Sequence, residues 1–176
     1  VAYYQMGDGT LDDYPLIADQ TDATLGSQLV TNGDMELDAN WSNYSAPTTN
    51  ERSNEQSYAG TYSRKVVAAA TGDGIAGDSD ISFTTGNLYK ITAYIYPTTT
   101  QSFFLNIREG GSTRRSNGVT GLTLNSWNEI TYYWESTFTH TNGNVAIYAD
   151  AADTFYVDNI SIKQVNGNPA TMTNMS

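Results

Sequence analysis

The stretch LYKITAYIY, Leu88–Tyr96, decides how this chain is read. Tyr89, Ile91, Ala93 and Ile95 share one side of an extended backbone, and Lys90, Thr92, Tyr94 and Tyr96 share the other. That period of two belongs to a half-buried β-strand. Pro97, which cannot donate to a ladder, closes the run. The same alternation recurs outward in both directions: Tyr62–Ala69, Gly74–Phe83, Ser102–Glu109, Trp127–Phe138, Asn144–Ala149 and Phe155–Val165, with shorter runs near Gln28–Thr31 and Asn50–Ser53. Turn clusters separate them: TTGN at 84–87, EGGS at 109–112, TNGN at 141–144 and DAAD at 150–153. No window carries apolar residues at helical spacing over three turns. Eight or nine short strands at this spacing predict an all-β fold, an antiparallel β-sandwich of jelly-roll type.

The 176 residues suffice for one domain with its own core. Eight Lys+Arg against 19 Asp+Glu give a net charge of −11, which argues against nucleic acid or an anionic membrane as partner and suits cations and uncharged ligands. With no cysteine, disulfides, thiol nucleophiles and zinc-thiolate sites are excluded; one histidine, His140, excludes multi-imidazole chemistry. No apolar run reaches 18 residues, so no membrane insertion is expected. Residues 1–27, with Asp8, Asp12, Asp13, Asp19 and Asp22, read as an arm or inter-domain connector; 28–165 form the sandwich; 166–176 read as a tail. The start without Met suggests a piece of a longer parent chain with adjacent domains.

Three stretches in order resemble the jelly-roll carbohydrate-binding modules of families four, nine, sixteen and twenty-two. LVTNGDMELDANW (Leu29–Trp41) is similar to their N-G-x-F-E…W opening, with Met35 in place of an aromatic. NEQSYAGTYSRKVV (Asn54–Val67) is similar to their H-S-G-x-Y-S-L-K-V hairpin, with Arg64 in place of an apolar residue. TFYVDNISIKQV (Thr154–Val165) resembles their F-Y-V-D-D-V-S-L close, and WNEITYYW (Trp127–Trp134) their penultimate-strand pattern. The terminal segments also resemble connectors around sugar-binding domains of phage tail and virion proteins. The resemblance implies concave and convex sheets, a poly- or oligosaccharide as partner, an extracellular or virion-surface location, and a structural calcium. Its ligands would map onto Glu36 and Asp158, with carbonyls around Ser57 to Gly60 and Asp34 as a weaker candidate. The other reading of Glu36 and Asp158 is a pair of solvated strand-end charges. The clusters GDGTLDD (7–13) and GDGIAGDSD (72–80) lack EF-hand spacing and read as solvated turns.

A sugar presents an apolar C–H face and a rim of hydroxyls, so its receptor needs exposed rings beside planar hydrogen-bonding groups. If Ile91 and Ile95 face the core, Tyr94 and Tyr96 face out; if Phe103, Leu105 and Ile107 face in, Phe104, Asn106 and Arg108 face out; Ile130, Tyr132 and Trp134 leave Tyr133 outside; and Tyr148 alternates against Val145 and Ile147. These seven outward residues, Tyr94, Tyr96, Phe104, Asn106, Arg108, Tyr133 and Tyr148, are the expected carbohydrate site on the concave sheet, with Tyr94, Tyr96 and Tyr133 standing together. The bland alternative is tyrosine packed under loops, which antiparallel strands favour anyway. Trp41 and Tyr44 could rim the site, though Trp41, Trp127 and Trp134 read as core. Arg52, Arg108, Arg114 and Arg115 either meet an acidic sugar or offset local negative charge. Glu109, Glu129 and Glu135 match no acid–base motif, and His140 sits in a T-H-T-N-G turn as a solvated residue. The expectation is a non-catalytic sugar-binding module; the alternative is a structural or adhesive module of a phage tail or virion protein.

Overall fold

The computed structural model describes residues 16–17, 24–77, 80–109, 112–166 and 170–171. In chain order the strands are β1 (Leu16–Ile17), β2 (Thr24–Gln28), β3 (Trp41–Tyr44), β4 (Thr49–Ser53), β5 (Ser63–Ala68), β6 (Gly74–Gly77) and β7 (Ile81–Phe83). They continue as β8 (Leu88–Pro97), β9 (Phe103–Glu109), β10 (Ser112–Val119), β11 (Asn128–Glu135), β12 (His140–Ala149), β13 (Asp153–Asn166) and β14 (Ala170–Thr171). Sheet I runs β11-β8-β13-β5-β4, with β2 also on β13. Sheet II runs β10-β9-β12-β6-β3, with β7 also on β12. β1 pairs β14. All the pairings are antiparallel. Because β2 adds to the end of β13, the sandwich begins at Thr24, four residues before the sequence places it.

The core lies between the two sheets and obeys the alternation. Tyr89, Ile91, Ala93 and Ile95 of sheet I meet Phe103, Leu105, Ile107, Val145 and Ile147 of sheet II, all buried. Phe103 packs edge-on against Phe155 with ring centroids 5.1 Å apart. The Tyr132 hydroxyl crosses the core to donate to the Leu105 carbonyl at 3.2 Å. Trp41 and Trp134 are core residues as expected, and Met35 fills its aromatic's place at 0% exposure. Besides the two-residue β1 and β14, which fall in the segments read as arm and tail, β3 and β10 escape the sequence reading. β3 has one inward anchor, Trp41, and β10 (STRRSNGV) carries almost no apolar residue, so neither shows an apolar period. The predicted strand 74–83 is two strands, β6 and β7.

Arg64 stands where its motif expects an apolar residue, and it does point inward, 7% exposed. Its guanidinium is fully engaged at one edge of the sandwich. Nε donates to Asn50 Oδ1, one terminal nitrogen to Asp38 at 2.7 Å, and the other to the carbonyls of Asn50 and Trp41. It therefore sews β4, β3 and the β2–β3 loop together. Leucine at this position would restore the motif but strand those acceptors. We expect Arg64→Leu to cost about 2–3 kcal/mol in urea unfolding with an unchanged slope; an unaltered midpoint would show that the network contributes nothing net.

Candidate functional site

The seven expected binding residues do not share one surface. Tyr94, Tyr96 and Tyr133 lie on β8 and β11 and face out from sheet I. Phe104, Asn106, Arg108 and Tyr148 lie on β9 and β12 and face out from sheet II, on the opposite side of the molecule. The single seven-residue face is thus corrected: alternation sends a side chain outward, and the sheet its strand joins decides in which direction.

On sheet II one cross-strand row reads Gly118, Phe104, Tyr148, Gly74, Tyr44. Phe104 and Tyr148 stack with centroids 4.9 Å apart at 15°, and Tyr148 stacks on Tyr44 at 5.1 Å and 24°. Gly74 permits this. A Cβ there would come within 2.0 Å of the Ile147 carbonyl oxygen and 2.5 Å of the Tyr148 Cα, so Tyr44 and Tyr148 meet over bare backbone. Arg108 reaches across to place its guanidinium 4.6 Å from the centre of the Tyr44 ring. Beneath, Asn106 is 1% exposed; its Nδ2 lies 3.4 Å from the Tyr148 hydroxyl and its Oδ1 has no hydrogen-bond partner. The rings stack on one another rather than lying open as a flat platform, so this face offers ring edges, phenolic hydroxyls and a guanidinium, with the Asn106 carboxamide buried beneath. Tyr44, read from sequence as a rim residue, is part of the row. Buried Asp73 fixes the chain just beyond it, accepting the amides of Ala46, Ala69 and Ala70. These donors, that of Ala46 foremost, hold its carboxyl below the ordinary range.

Outside sheet I stands a different group. Tyr58 stacks on Tyr94 with centroids 3.7 Å apart, and Trp127 meets Tyr58 and Tyr96 edge-on. Trp127 is therefore an outer-face residue, not core; its odd-numbered parity with Glu129, Thr131 and Tyr133 carries that signal. Tyr96 leans on Tyr156, whose hydroxyl donates to Glu55 at 2.7 Å. Burial, with that carboxylate's help, pushes the Tyr156 phenol up to about 12. Tyr133 stands apart from Tyr94 and Tyr96, opposite Lys90.

Glu36 and Asp158 are not solvated charges. Both clip the 54–62 loop. Asp158 Oδ2 accepts the amides of Tyr58 (2.9 Å) and Ala59 (3.2 Å), and its Oδ1 accepts that of Asn159. Glu36 Oε1 accepts the amides of Thr61 (2.7 Å) and Tyr62 (3.0 Å). Gly60, at φ +68°, passes so close that a Cβ would fall 2.2 Å from Glu36 Oε1. In a trans peptide the carbonyl points opposite to the following N–H. The carbonyls of Ser57 and Gly60 are thus turned away from the carboxylates that their peptide units serve. A hard cation placed here would draw first on the oxygens of the Glu36 and Asp158 carboxylates. Among the described residues no third carboxylate or histidine converges there.

The arginines scatter: Arg114 pairs with Glu109, Arg115 lies over the Tyr132 ring, and Arg52 lies over Tyr62 and donates to the Glu36 carbonyl. His140 is not a free turn residue; it opens β12 with Nε2 2.6 Å from Glu109. Glu109 belongs to sheet II, Glu129 and Glu135 to sheet I. The cluster at 7–13 lies outside the described residues.

No family model and no curated protein matches the sequence. Solved structures do match. The family-22 module and family-10 catalytic unit of Clostridium thermocellum endo-1,4-beta-D-xylanase 10B, complexed with xylohexaose, align at TM-score 0.64 and 19% identity over 85% of this chain; the chain spans 30% of that protein. The family-22 xylan-binding domain of Paenibacillus barcinonensis Xyn10C aligns at 0.60 and 16% identity over 84% of this chain and all of that domain. The enzymatically active domain of bacteriophage CBA120 tailspike protein 4 aligns at 0.59 and 15% identity over 78% of this chain and 21% of that one. The fold is that of the jelly-roll carbohydrate-binding modules.

The two clip residues titrate in opposite senses. Loop amides, that of Tyr62 foremost, pull the Glu36 carboxyl down, so its contribution is present above the ordinary carboxylate range and lost on acidification. Burial above all, then the Glu36 charge, raises the Asp158 carboxyl against its three amide donors. Its contribution is complete below the ordinary range and lost as pH rises through the raised value. In chelator, the melting temperature of Asp158→Asn relative to wild type should therefore climb as pH rises out of the ordinary carboxylate range; a flat difference would show that the buried charge carries no such cost.

Proposed function

We propose that this chain binds poly- or oligosaccharide without catalysis, on the outer face of sheet II. The observation that carries the reading is the row Phe104–Tyr148–Tyr44 flanked by Arg108 and Asn106, set on a sandwich like that of sugar-binding modules. A glycan laid across the ring edges would find apolar C–H contact beside two phenolic hydroxyls. The guanidinium above would meet its hydroxyl rim, while the buried Asn106 carboxamide beneath steadies the Tyr148 hydroxyl. The separation of Glu109 from Glu129 and Glu135 supports binding rather than hydrolysis, which needs two carboxylates about 5–9.5 Å apart. Shallow contact implies micromolar to millimolar affinity for one module, raised by repetition in a secreted enzyme or on a virion surface.

We further propose a structural calcium at Glu36 and Asp158. When bound it would supply the positive charge that a fully buried carboxylate beside a second carboxylate otherwise lacks. Calcium should then raise the melting temperature and chelator lower it; identical melts would mean that the clip works through its amides alone.

The main test is a glycan array followed by calorimetry on the best ligand. Tyr148→Ala and Arg108→Ala should each weaken binding about tenfold or more, the ordinary effect of removing one well-used contact. A blank array, or variants that bind as wild type does, would leave the structural or adhesive role as the better reading.

A further inference from the structure

Outside sheet I, on the side away from the row just described, lies a cleft of about 370 Å³. Its floor is ordered by strand register. Lys90 and Lys163 face each other across β8 and β13, with Tyr133 on the other flank of Lys90. One step along come Thr131, Thr92 and Ser161, then Glu129, Tyr94 and Asp158. Tyr58 is stacked on Tyr94, 43% exposed, with Trp127 at its edge. Gln28, Asp34 and Asn159 complete the walls.

Two features of this floor are unexplained by folding. The chain has eight basic residues, and two of its lysines oppose each other directly, a pairing that costs stability. Among the described residues neither ammonium has a hydrogen-bond or ion-pair partner. Beside the Tyr94 end of the cleft, Tyr58 has one face covered by Tyr94 yet keeps 43% exposure, an aromatic surface open to solvent.

We propose that this cleft is a second glycan site, selective for an acidic oligosaccharide: a sugar ring packs at Tyr58, and its carboxylate or sulfate group lies between Lys90 and Lys163. Tyr94 and Lys90 are four residues apart on one strand, about 13 Å, so the ligand spans more than one sugar unit. The threonine and serine hydroxyls between them meet the intervening hydroxyl groups. Glu129 fixes direction, since it repels an acidic group from the aromatic end. The site does not depend on the reading of sheet II. Because Tyr58 rides on the loop whose amide bonds Asp158, the clip that steadies that loop also positions the ring.

The test is calorimetry on the full chain with an oligogalacturonate hexamer, its fully methyl-esterified form and a sulfated oligosaccharide of equal length, each at low and physiological salt. Wild type should bind one or both acidic probes and lose affinity as salt rises, with the methyl ester at least about tenfold weaker. The double variant Lys90→Gln/Lys163→Gln should lose the preference for the acidic probes while melting no lower than wild type, because a like-charge pair has been removed. Tyr58→Ala should weaken the acidic probes and the ester alike. Tyr148→Ala should remove binding at sheet II and leave the acidic probes bound. Preference for carboxylate or for sulfate identifies the acid. The proposal is overturned if wild type binds neither acidic probe, if it treats acid and ester alike, if the double variant keeps the preference, or if Tyr148→Ala abolishes it.

Discussion

A two-layer sandwich admits one side chain in two from every strand into its single interior. That constraint governs everything else in this molecule. Ile91 and Ile95 from one layer and Leu105 and Ile107 from the other are forced inward by the pleat. The residues between them are forced out, but away from each other, because their strands belong to opposite layers. The protein therefore presents two faces of different chemistry. One is a row of stacked rings crossed by Arg108; the other is a cleft graded from lysines to aromatics. Neither could have the other's chemistry without moving a strand from one sheet to the other.

The second constraint is how loops are held against those layers. A chain with so many turns must find partners for backbone amides that no ladder uses. Here carboxylates do it. Asp73 gathers three amides around the turn before β6, and Glu36 and Asp158 gather four from the 54–62 loop. Asp158 joins residues about 100 positions apart in sequence, so one buried charge restrains a long stretch of chain. Through the Tyr58 amide that it accepts, Asp158 also fixes where the Tyr58 ring stands.

Much of this is legible in the amino-acid sequence. Leu88–Tyr96 and Phe103–Glu109 announce their inward and outward sides without ambiguity, and the Asp158 segment and the hairpin after Asn54 are recognisable as a joined pair. What could not be read was pairing at a distance. Tyr94 and Phe104 are equivalent by alternation; nothing in their neighbours says that one lies on β8 of sheet I and the other on β9 of sheet II. Lys90 and Lys163 become a site only once β13 is set beside β8 in register. Ser112–Val119 escaped because an edge strand with Arg115 and Asn117 at its inward positions has no apolar period to show. Trp127 is core by residue type but outward by parity, and parity decides.

On the function proposed above, poly- or oligosaccharide meets this fold along the Phe104–Tyr148–Tyr44 row. The most direct measurement is an amide and aromatic NMR titration of the isotopically labelled chain with the neutral oligosaccharide it prefers. The largest shifts are expected at Tyr44, Phe104, Asn106, Arg108 and Tyr148, with Tyr94, Tyr96 and Trp127 still. Shifts centred on the sheet I residues, or a spectrum indifferent to every neutral saccharide at millimolar concentration, would contradict it.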